Sequence, residues 1–454
     1  MSSSIHAQKG ILTEGSIGRH LVRLAGPMTW GIFAIISFQL VDMFYISLLG
    51  TEPLAAFSFT FPVTYGMFAF VMGFGIAMSS VLSRLIGEQR PDDLKRVTTQ
   101  GLALALGVCL VLSLGGYALS DQIFIWLGAD DMMRPMIHEF MVPWFLGSVF
   151  ISLPLVGNAA IRSTGDTVLP AVIMTVASIV NVILDPLLIF GLLDFPRLEL
   201  QGAAIGTVIA NALAMIAGLY IIHVKLKLTD IACLWDVKSW ADTCKRLLMI
   251  AIPVGLTNTL QPIVNAIIIS LLSASGASAV AAFGIATRVE AFAFIILMGL
   301  SVGMGPIIGQ NFGAQKYTRV FETLRLAMNF NILWSIGIAV ILAVFAHPIV
   351  SAFSQDPDVI RVTVMFFWLV PFSYIFANLF RGWASAFNAL GKPQISFVMV
   401  VVELVVLMIP AVYLGSYWGG TAGVFAAIAI INVVTGSFFH LWSWKIWRKL
   451  SSAT

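Results

Sequence analysis

The chain has 454 residues, of which 59% are hydrophobic and only 10% are charged, and its mean hydropathy is +0.96. This composition excludes a soluble globular protein, because charged residues make up about 25% of an average soluble domain. The long apolar runs do not alternate with a period of two residues, so they predict membrane-spanning helices rather than a β-barrel.

Polar breaks divide the chain into twelve apolar segments, each long enough to cross about 30 Å of hydrocarbon as a helix. In chain order, the predicted spans are 24–49, 54–84, 97–119, 135–158, 167–193, 200–225, 247–273, 277–310, 323–346, 361–387, 393–415 and 419–444. The predicted fold class is therefore an all-α polytopic membrane protein with twelve transmembrane helices. The polar first twenty residues lack the apolar core of a signal peptide, so the first span is expected to direct insertion itself.

Lysine and arginine are concentrated in alternate loops of this arrangement. The basic set includes Arg84, Arg162, Lys225, Lys238, Arg246, Arg381 and Lys392. The opposite loops hold only Arg134, Arg197 and Arg361, each near an acidic residue. The positive-inside rule then predicts that both termini are cytoplasmic, in the cytoplasmic membrane of a prokaryote.

The loop at 226–246 is the longest break, and it mixes tryptophans with charged residues in LTDIACLWDVKSW. This pattern predicts a cytoplasmic linker that contains a helix lying in the membrane interface. The linker separates an N-terminal bundle of six helices, 1–225, from a C-terminal bundle of six, 247–454.

The two halves resemble each other when the sequence is shifted by 226 positions. The shift superposes Pro27 on Pro253, Gly73 on Gly299, Gly87 on Gly313 and Gly165 on Gly391. Because each half has an even number of spans, both insert with the same orientation and should be related by an axis along the membrane normal. Rocking two such bundles would expose a central cleft to either side, which is the architecture of a transporter.

Motifs for nucleotide-driven or metal-dependent chemistry are missing from the sequence. A phosphate loop needs a second glycine five residues before its Gly-Lys pair. The corresponding position before Gly391-Lys392 is 386, which is alanine. His138-Glu139 lacks the second histidine of a zinc motif, since position 142 is valine. We therefore predict that the protein is not an enzyme, needs no cofactor and draws its energy from an ion gradient or from the substrate's own gradient. A membrane enzyme or a scaffold is the alternative from a different class.

Several segments resemble the multidrug and toxic compound extrusion (MATE) transporters, in particular the DinF-like branch. They are LVDMFYISLLGTEPLAAFSF, NAAIRSTGDTVLP, NVILDPLLIFGL, GAAIGT and AFGIATRVEAF. The resemblance implies two pseudo-symmetric six-helix bundles and efflux of amphipathic, often cationic, drugs in exchange for H⁺ or Na⁺. The expected partners are these small molecules and the lipid bilayer, with no nucleic acid, and the expected state is a monomer.

Two carboxylates lie deep in the spans of the N-terminal half, Asp42 in the first and Asp185 in the fifth. A charge at the centre of a membrane helix costs about 2.5–3.5 kcal/mol on insertion scales, so both should face the protein interior or water. Gln39 and Asn181 precede them by three and four residues and share their helix faces. We expect these four residues to form a polar network.

Two further residues are expected to join that network, Asn158 and Thr207. The family resemblance places a matching asparagine and threonine beside the two aspartates. Pro186 lacks an amide hydrogen and Pro27 interrupts the first span, so both are predicted helix kinks. The resulting niche would bind H⁺, or Na⁺ without a dedicated metal site, because oxygen ligands also suit hard cations.

The repeat places the ion site in the N-terminal half, together with the main cavity. Asp42 aligns with Ile268 and Asp185 with Ala411, so the corresponding helices of the other half pack without acids. A purely structural polar cluster at the aspartates remains an alternative.

In the C-terminal half, Glu290, Glu403 and Gln261 are further site candidates, with functional and structural roles both open. The expected mechanism is that protonation of the N-terminal aspartates from outside releases the drug. The alternative function is a lipid or oligosaccharide flippase of the same superfamily. A flippase should have a basic cavity for phosphate, and basic residues are nearly absent from the predicted span interiors.

Overall fold

The computed structural model describes residues 11–452, with side chains to residue 448. Its long helices are α1 (Ile17–Ser47), α2 (Thr51–Gly87), α3 (Pro91–Ala118), α4 (Met133–Ser163), α5 (Val168–Phe190), α6 (Glu199–Lys225), α7 (Val237–Ser273), α8 (Ala277–Gly313), α9 (Tyr317–Val344), α10 (Pro357–Ala389), α11 (393–419) and α12 (421–452). Each overlaps one predicted span, so the all-α fold class is confirmed. The prediction for both termini includes residues 1–10 and 453–454, which lie outside the described residues.

The last two helices are separated by a sharp turn at Gly420. By length and composition, 11 helical segments in the described chain could cross a membrane, and the last of them runs from Pro393 to Arg448. Gly420 interrupts that segment with φ 53° and ψ −135°. The backbones of Gly415 and Gly423 pack against each other on either side of the turn. The chain therefore doubles back at Gly420, and the segment comprises two antiparallel spans.

The linker between the halves is shorter than the sequence predicts. α7 begins at Val237, inside the predicted 226–246 loop, and the interfacial helix expected there is only a 3₁₀ turn, Ile231–Trp235. The indole nitrogen of Trp240 donates to the carbonyl of Leu234 at 3.0 Å. This bond folds the turn back onto the start of α7, so the polar first turns of α7 belong to the helix rather than to the loop.

Close glycine contacts join the two halves and follow the sequence repeat. A Cβ on Gly73 of α2 would lie 3.0 Å from the backbone nitrogen of Gly255 on α7. A Cβ on Gly299 of α8 would lie 2.9 Å from the backbone nitrogen of Thr29 on α1. The shift of 226 positions converts the first contact into the second, because it moves Gly73 to 299 and Thr29 to 255. The α2–α7 and α1–α8 interfaces are therefore equivalent across a pseudo-two-fold axis.

A second equivalent pair of contacts marks one end of the molecule. Gly87 packs against the carbonyl of Gln310, and Gly313 packs against the carbonyl of Arg84. Side chains at these glycines would force α2 and α8 apart. We call this end, where α2 and α8 finish and α1 begins, the closed end.

The segment before α1 also binds at the closed end. The Leu12 amide donates to Gln310 Oε1 at 3.2 Å, and Gln310 Nε2 donates to the carbonyl of Ser163 at 2.8 Å. Arg319 Nη1 donates to the carbonyl of Gly15 at 3.0 Å. Leu12 is buried. The segment therefore bridges α4 of the N-terminal half and α8 and α9 of the C-terminal half.

Candidate functional site

The structure brings the two predicted aspartates together between α1 and α5. Their carboxyl groups lie close enough to interact electrostatically, and the exposed fraction is 9% for Asp42 and 0% for Asp185. Two adjacent carboxylates repel strongly in a medium of low dielectric constant, and a shared proton or a bound cation removes that repulsion. The pair is therefore a candidate site for one exchangeable proton or a cation in its place.

Asn181 and Thr207 hold Asp185 in position. With its amide oriented to suit its neighbours, Asn181 Nδ2 donates to Asp185 Oδ2 at 2.7 Å, and its oxygen accepts from Thr207 Oγ1 at 3.2 Å. We call Asp42, Asp185, Asn181 and Thr207 the carboxyl cluster. Gly206 of α6 faces it, and a Cβ there would lie only 2.6 Å from Asp185 Oδ1. The GAAIGT sequence thus leaves room for the carboxyl group.

Two oxygens of the carboxyl cluster are available for a ligand. Within the described residues, Asp42 Oδ1 and Asp185 Oδ1 are buried without a hydrogen-bond partner. Such oxygens can accept a proton or coordinate Na⁺. No group of three or more His, Cys, Asp or Glu side chains among residues 11–448 is arranged to hold a metal.

Two of the predicted network residues do not join these hydrogen bonds. Gln39 is exposed, and no hydrogen bond of the described chain involves its side chain. Three residues correspond to 300° of helix rotation, so Gln39 lies about 60° away from Asp42 around α1. Asn158 is buried on α4, but no hydrogen bond among the described residues joins it to the carboxyl cluster, and its Oδ1 has no partner there.

The two predicted kink residues lie within continuous helices, Pro27 in α1 and Pro186 in α5. Pro27 cannot donate a backbone hydrogen bond to the carbonyl of Arg23. That carbonyl accepts a hydrogen bond from Thr167 Oγ1 at 3.4 Å instead. A side chain that precedes α5 therefore compensates for the proline in α1.

The two C-terminal glutamates lie beside hydroxyl groups. The Tyr374 hydroxyl donates to Glu290 Oε1, and Glu403 lies near Thr435, whose hydroxyl donates to the carbonyl of Ile431 at 2.8 Å. Arg288, two residues before Glu290, is exposed and does not approach it. Glu403 lies in a π-helical turn, Val402–Met408, a geometry that often occurs at functional sites.

Two cavities lie beside these glutamates. One, of about 380 Å³, lies between the halves and is lined by α2, α4, α7, α8, α10 and α11; we call it the interhalf cavity. The other, of about 620 Å³, lies among α7 to α12; we call it the C-half cavity. The main cavity was predicted in the N-terminal half, whereas these two spaces lie between the halves and within the C-terminal one. Gln261, Arg381 and Glu403 line both cavities.

The structure also places arginines where the sequence did not predict them. Arg162 and Arg381, assigned above to cytoplasmic loops, both line the interhalf cavity. Arg381 lies in the middle of the second part of α10, Tyr374–Ala389. The argument against a basic cavity is therefore wrong. The sequence did contain a signal for a cavity arginine, because Arg381 lies six residues inside the predicted span 361–387.

A membrane protein with two equivalent six-helix halves, a buried carboxyl pair and a cavity between the halves is a transporter rather than an enzyme. The MatE family model matches this chain twice, at residues 27–187 and 253–414. The matches begin 226 residues apart, which is the offset of the repeat. The chain belongs to the MATE family of membrane transporters.

Two curated relatives align over nearly the whole chain. A protein of Shewanella oneidensis named FAD transporter is 38% identical over 443 residues, covering 98% of each chain. The multidrug export protein MepA of Staphylococcus haemolyticus is 27% identical over 427 residues, covering 93% of this chain and 92% of its own. Among solved structures, the Vibrio cholerae MATE transporter VcmN in the bent form is 27% identical, with a TM-score of 0.90 over 96% of this chain and 98% of that one.

Proposed function

We propose that this chain is an antiporter that exports flavin adenine dinucleotide (FAD), or a similar aromatic anion, in exchange for H⁺ or Na⁺. The observation that carries the proposal is the separation of two sites. The carboxyl cluster lies between α1, α5 and α6, whereas the cavities lie between the halves and in the C-terminal half. An ion site that is separate from the substrate cavity allows ion exchange to drive export through a change of conformation.

The name of the Shewanella relative supports the choice of substrate, since it is 38% identical over 98% of this chain. The cavities fit an elongated aromatic anion. They contain Arg162 and Arg381, and they expose the aromatic rings of Tyr65 and Phe294. Volumes of 380 and 620 Å³ also fall within the range of about 300–1,000 Å³ that is usual for small-molecule sites.

Coupling follows from the charge of the carboxyl cluster. A proton or Na⁺ that enters from the open end removes the repulsion between Asp42 and Asp185, and the helices that carry them then repack. By the positive-inside rule the closed end faces the cytoplasm, so we assign this conformation to the outward-facing state. Both sites belong to one chain, and we propose a monomer in the cytoplasmic membrane.

A second candidate is export of cationic drugs, as expected from the sequence. Glu290 and Glu403 favour it, because both carboxyl groups line the C-half cavity. The name of the MepA relative also supports it, at a lower identity of 27%. A flippase of the same superfamily is a third possibility, since the arginine-lined cavity removes the argument against it.

Purified protein in liposomes can separate these candidates. Vesicles that contain FAD, ethidium or a fluorescent phospholipid would be subjected to a pH gradient or a sodium gradient in separate experiments. We expect gradient-driven movement of FAD. Movement of ethidium alone would favour the drug antiporter, and movement of the phospholipid alone would favour the flippase. Failure of both gradients to drive any substrate would contradict ion coupling.

A further inference from the structure

We propose that Arg162 and Arg381, one from each half, form an anion-binding pair that holds the phosphate groups of the exported substrate in the interhalf cavity. This inference rests on the proposed export of a phosphate-bearing substrate and assigns the residues that recognise it. The pair consists of the last arginine of α4 and the arginine in the middle of α10's second part. Both side chains line the same cavity of about 380 Å³.

The guanidinium group of Arg162 has no protein partner in the described part of the chain. It lies one residue before the end of α4, and no ion pair or hydrogen bond of residues 11–448 involves its side chain. An arginine remains charged at all physiological pH values. The half-buried guanidinium of Arg162 in the cavity wall is therefore free to bind an anionic ligand.

The guanidinium group of Arg381 is also available to bind an anionic ligand. Its Nη1 donates to Asn378 Oδ1 at 3.4 Å, a long hydrogen bond, and its guanidinium lies 5.9 Å from the ring centre of Phe294. Within the described residues it forms no ion pair with a carboxylate. Arginines outside the two cavities behave differently, since Arg246 lies 2.9 Å from Asp242 and Arg361 lies 2.9 Å from Asp358. Arg162 thus lies in the wall of the interhalf cavity, and Arg381 lies in the walls of both cavities.

No carboxylate of the described residues lies within ion-pair distance of either cavity arginine. Arg381 interacts electrostatically with Glu290 and Glu403 from further away. Glu290 accepts a hydrogen bond from the Tyr374 hydroxyl. The strongest match for two such guanidinium groups is a ligand with two adjacent negative charges, because each fork-shaped group can bind phosphate oxygens in a bidentate manner.

The two cavities together suit a dinucleotide. Arg381 lines both, so a diphosphate bound at Arg162 and Arg381 would lie where they meet. One aromatic ring system would then extend into the C-half cavity beside Phe294, which packs edge-on against Tyr374 at 4.9 Å. Ring stacking adds affinity without selecting one base, so the phosphates would set the class of substrate.

Because the two arginines belong to different halves, substrate binding is linked to the transport cycle. Rocking of the halves changes the separation of α4 and α10, and with it the fit of a diphosphate between them. An anion that bridges both arginines therefore stabilises the conformation in which they are close. When the halves separate, the bridge breaks and the substrate is released.

The test compares Arg162→Gln and Arg381→Gln with the matched control Arg288→Gln, which removes an exposed arginine of α8 outside both cavities. FAD export by liposomes would be measured over a range of concentrations, with inorganic pyrophosphate as a competitor. Each cavity variant should raise the KM for FAD at least about tenfold, because a buried charge contact is lost. Each should also weaken competition by pyrophosphate, and the control should change neither quantity.

Lysine variants and binding measurements make the result unambiguous. Arg381→Lys should recover part of the affinity, since it keeps the charge but loses the bidentate contact. Unchanged KM values in both Gln variants, with export intact, would overturn the anion-binding pair and leave the proposed function standing. If the wild type does not move FAD, the proposed function fails. Pyrophosphate binding to the purified wild type and variants, followed by calorimetry, then decides the anion site alone, and equal binding by all of them would overturn it.

Discussion

Asp185 of α5 occupies the space that the missing side chain of Gly206 leaves on α6. A Cβ at position 206 would lie 2.6 Å from Asp185 Oδ1 and 3.7 Å from the Cβ of Leu184. The carboxyl oxygen is the nearest atom, so a larger residue would displace it before it disturbed the backbone. The close approach of α5 and α6 therefore determines where the carboxyl group of Asp185 lies.

The first prediction is that Gly206→Ala uncouples transport without unfolding the protein. The added methyl group should push Asp185 out of its hydrogen bond with Asn181 and lower ion-driven export about tenfold or more, since a shift of one ångström at a reacting group has effects of that order. Gly218→Ala on the same helix is the control, because a Cβ at that position would have no atom within 4 Å. Equal transport rates in the two variants would show that the position of Asp185 is not critical.

The second prediction concerns the carboxyl pair itself. Asp42→Asn and Asp185→Asn should each insert and fold, because a neutral amide avoids the cost of about 2.5–3.5 kcal/mol for a charge at the membrane centre. Each should abolish gradient-driven export, since the amide cannot take up and release a proton. Thermal stability and liposome transport would be measured together, with the exposed Glu52→Gln as control. A fully active Asp185→Asn variant would reduce that residue to a structural role.

The acidic pair and Asn181 could be predicted because a polar residue in an apolar helix is costly, and helical spacing shows which residues share a face. Thr207 was predicted from the family resemblance. Spacing alone could not show that Gln39 lies outside this network. Gln39 is on the same side of α1 as Asp42, but it lies beyond the narrow face that packs on α5. The role of Gly206 was also hidden, since a glycine in a span fits both lipid contact and close helix packing.

Arg381 was misassigned for a different reason. The sequence suggests one continuous span over 361–387, with a basic residue near its cytoplasmic end. In the structure, the 3₁₀ turn Pro371–Ser373 divides α10, and the second part has a face turned to the cavities. The direction of a side chain after such a break depends on packing against neighbouring helices, which a single sequence does not encode locally.

The third prediction concerns topology and uses the native Cys233 of the linker. A membrane-impermeant maleimide should label it only from the cytoplasmic side, and Leu193→Cys, 81% exposed at the opposite end, only from outside. Burial and the nearby Asp230 and Asp236 raise the pKa of the Cys233 thiol. Less of it is then thiolate at neutral pH, so labelling should accelerate as the pH increases. External labelling of Cys233 would overturn the orientation.

The fourth prediction is that Gln310 stabilises the closed end. It is fully buried and bridges the Leu12 amide and the Ser163 carbonyl. Gln310→Leu leaves both groups unpaired at a cost of about 1–3 kcal/mol each, so it should favour opening of this end. Labelling of Ser80→Cys, at the bottom of the interhalf cavity, should become faster from the cytoplasmic side. The exposed Gln355→Leu should not alter that rate, and an unaltered rate in Gln310→Leu would contradict the bridge.

The last prediction is that α1 changes shape when Asp42 gains a proton. This helix is continuous from Ile17 to Ser47, but it has a weak point, because Pro27 withholds one backbone hydrogen bond and no side chain packs where a Cβ of Gly26 would be. Thr167 compensates through a hydrogen bond of 3.4 Å to the carbonyl of Arg23. Asp42 lies fifteen residues beyond Pro27, about 22 Å along the helix axis. A small bend at Pro27 therefore corresponds to a large displacement of α1 at the carboxyl cluster.

We expect a straight α1 at high pH and a bent one at low pH. Because α1 packs on α8, bending would repack the interface between the halves and release the substrate from the interhalf cavity. Spin labels at Leu40→Cys on α1 and Leu213→Cys on α6, with the native cysteines replaced, would report the distance at pH about 5 and about 8. In an Asp42→Asn background the distance should not depend on pH, because the titrating group is absent. A distance that is the same at both pH values in the labelled parent, with export intact, would rule out bending and leave ion exchange within the carboxyl cluster as the coupling step.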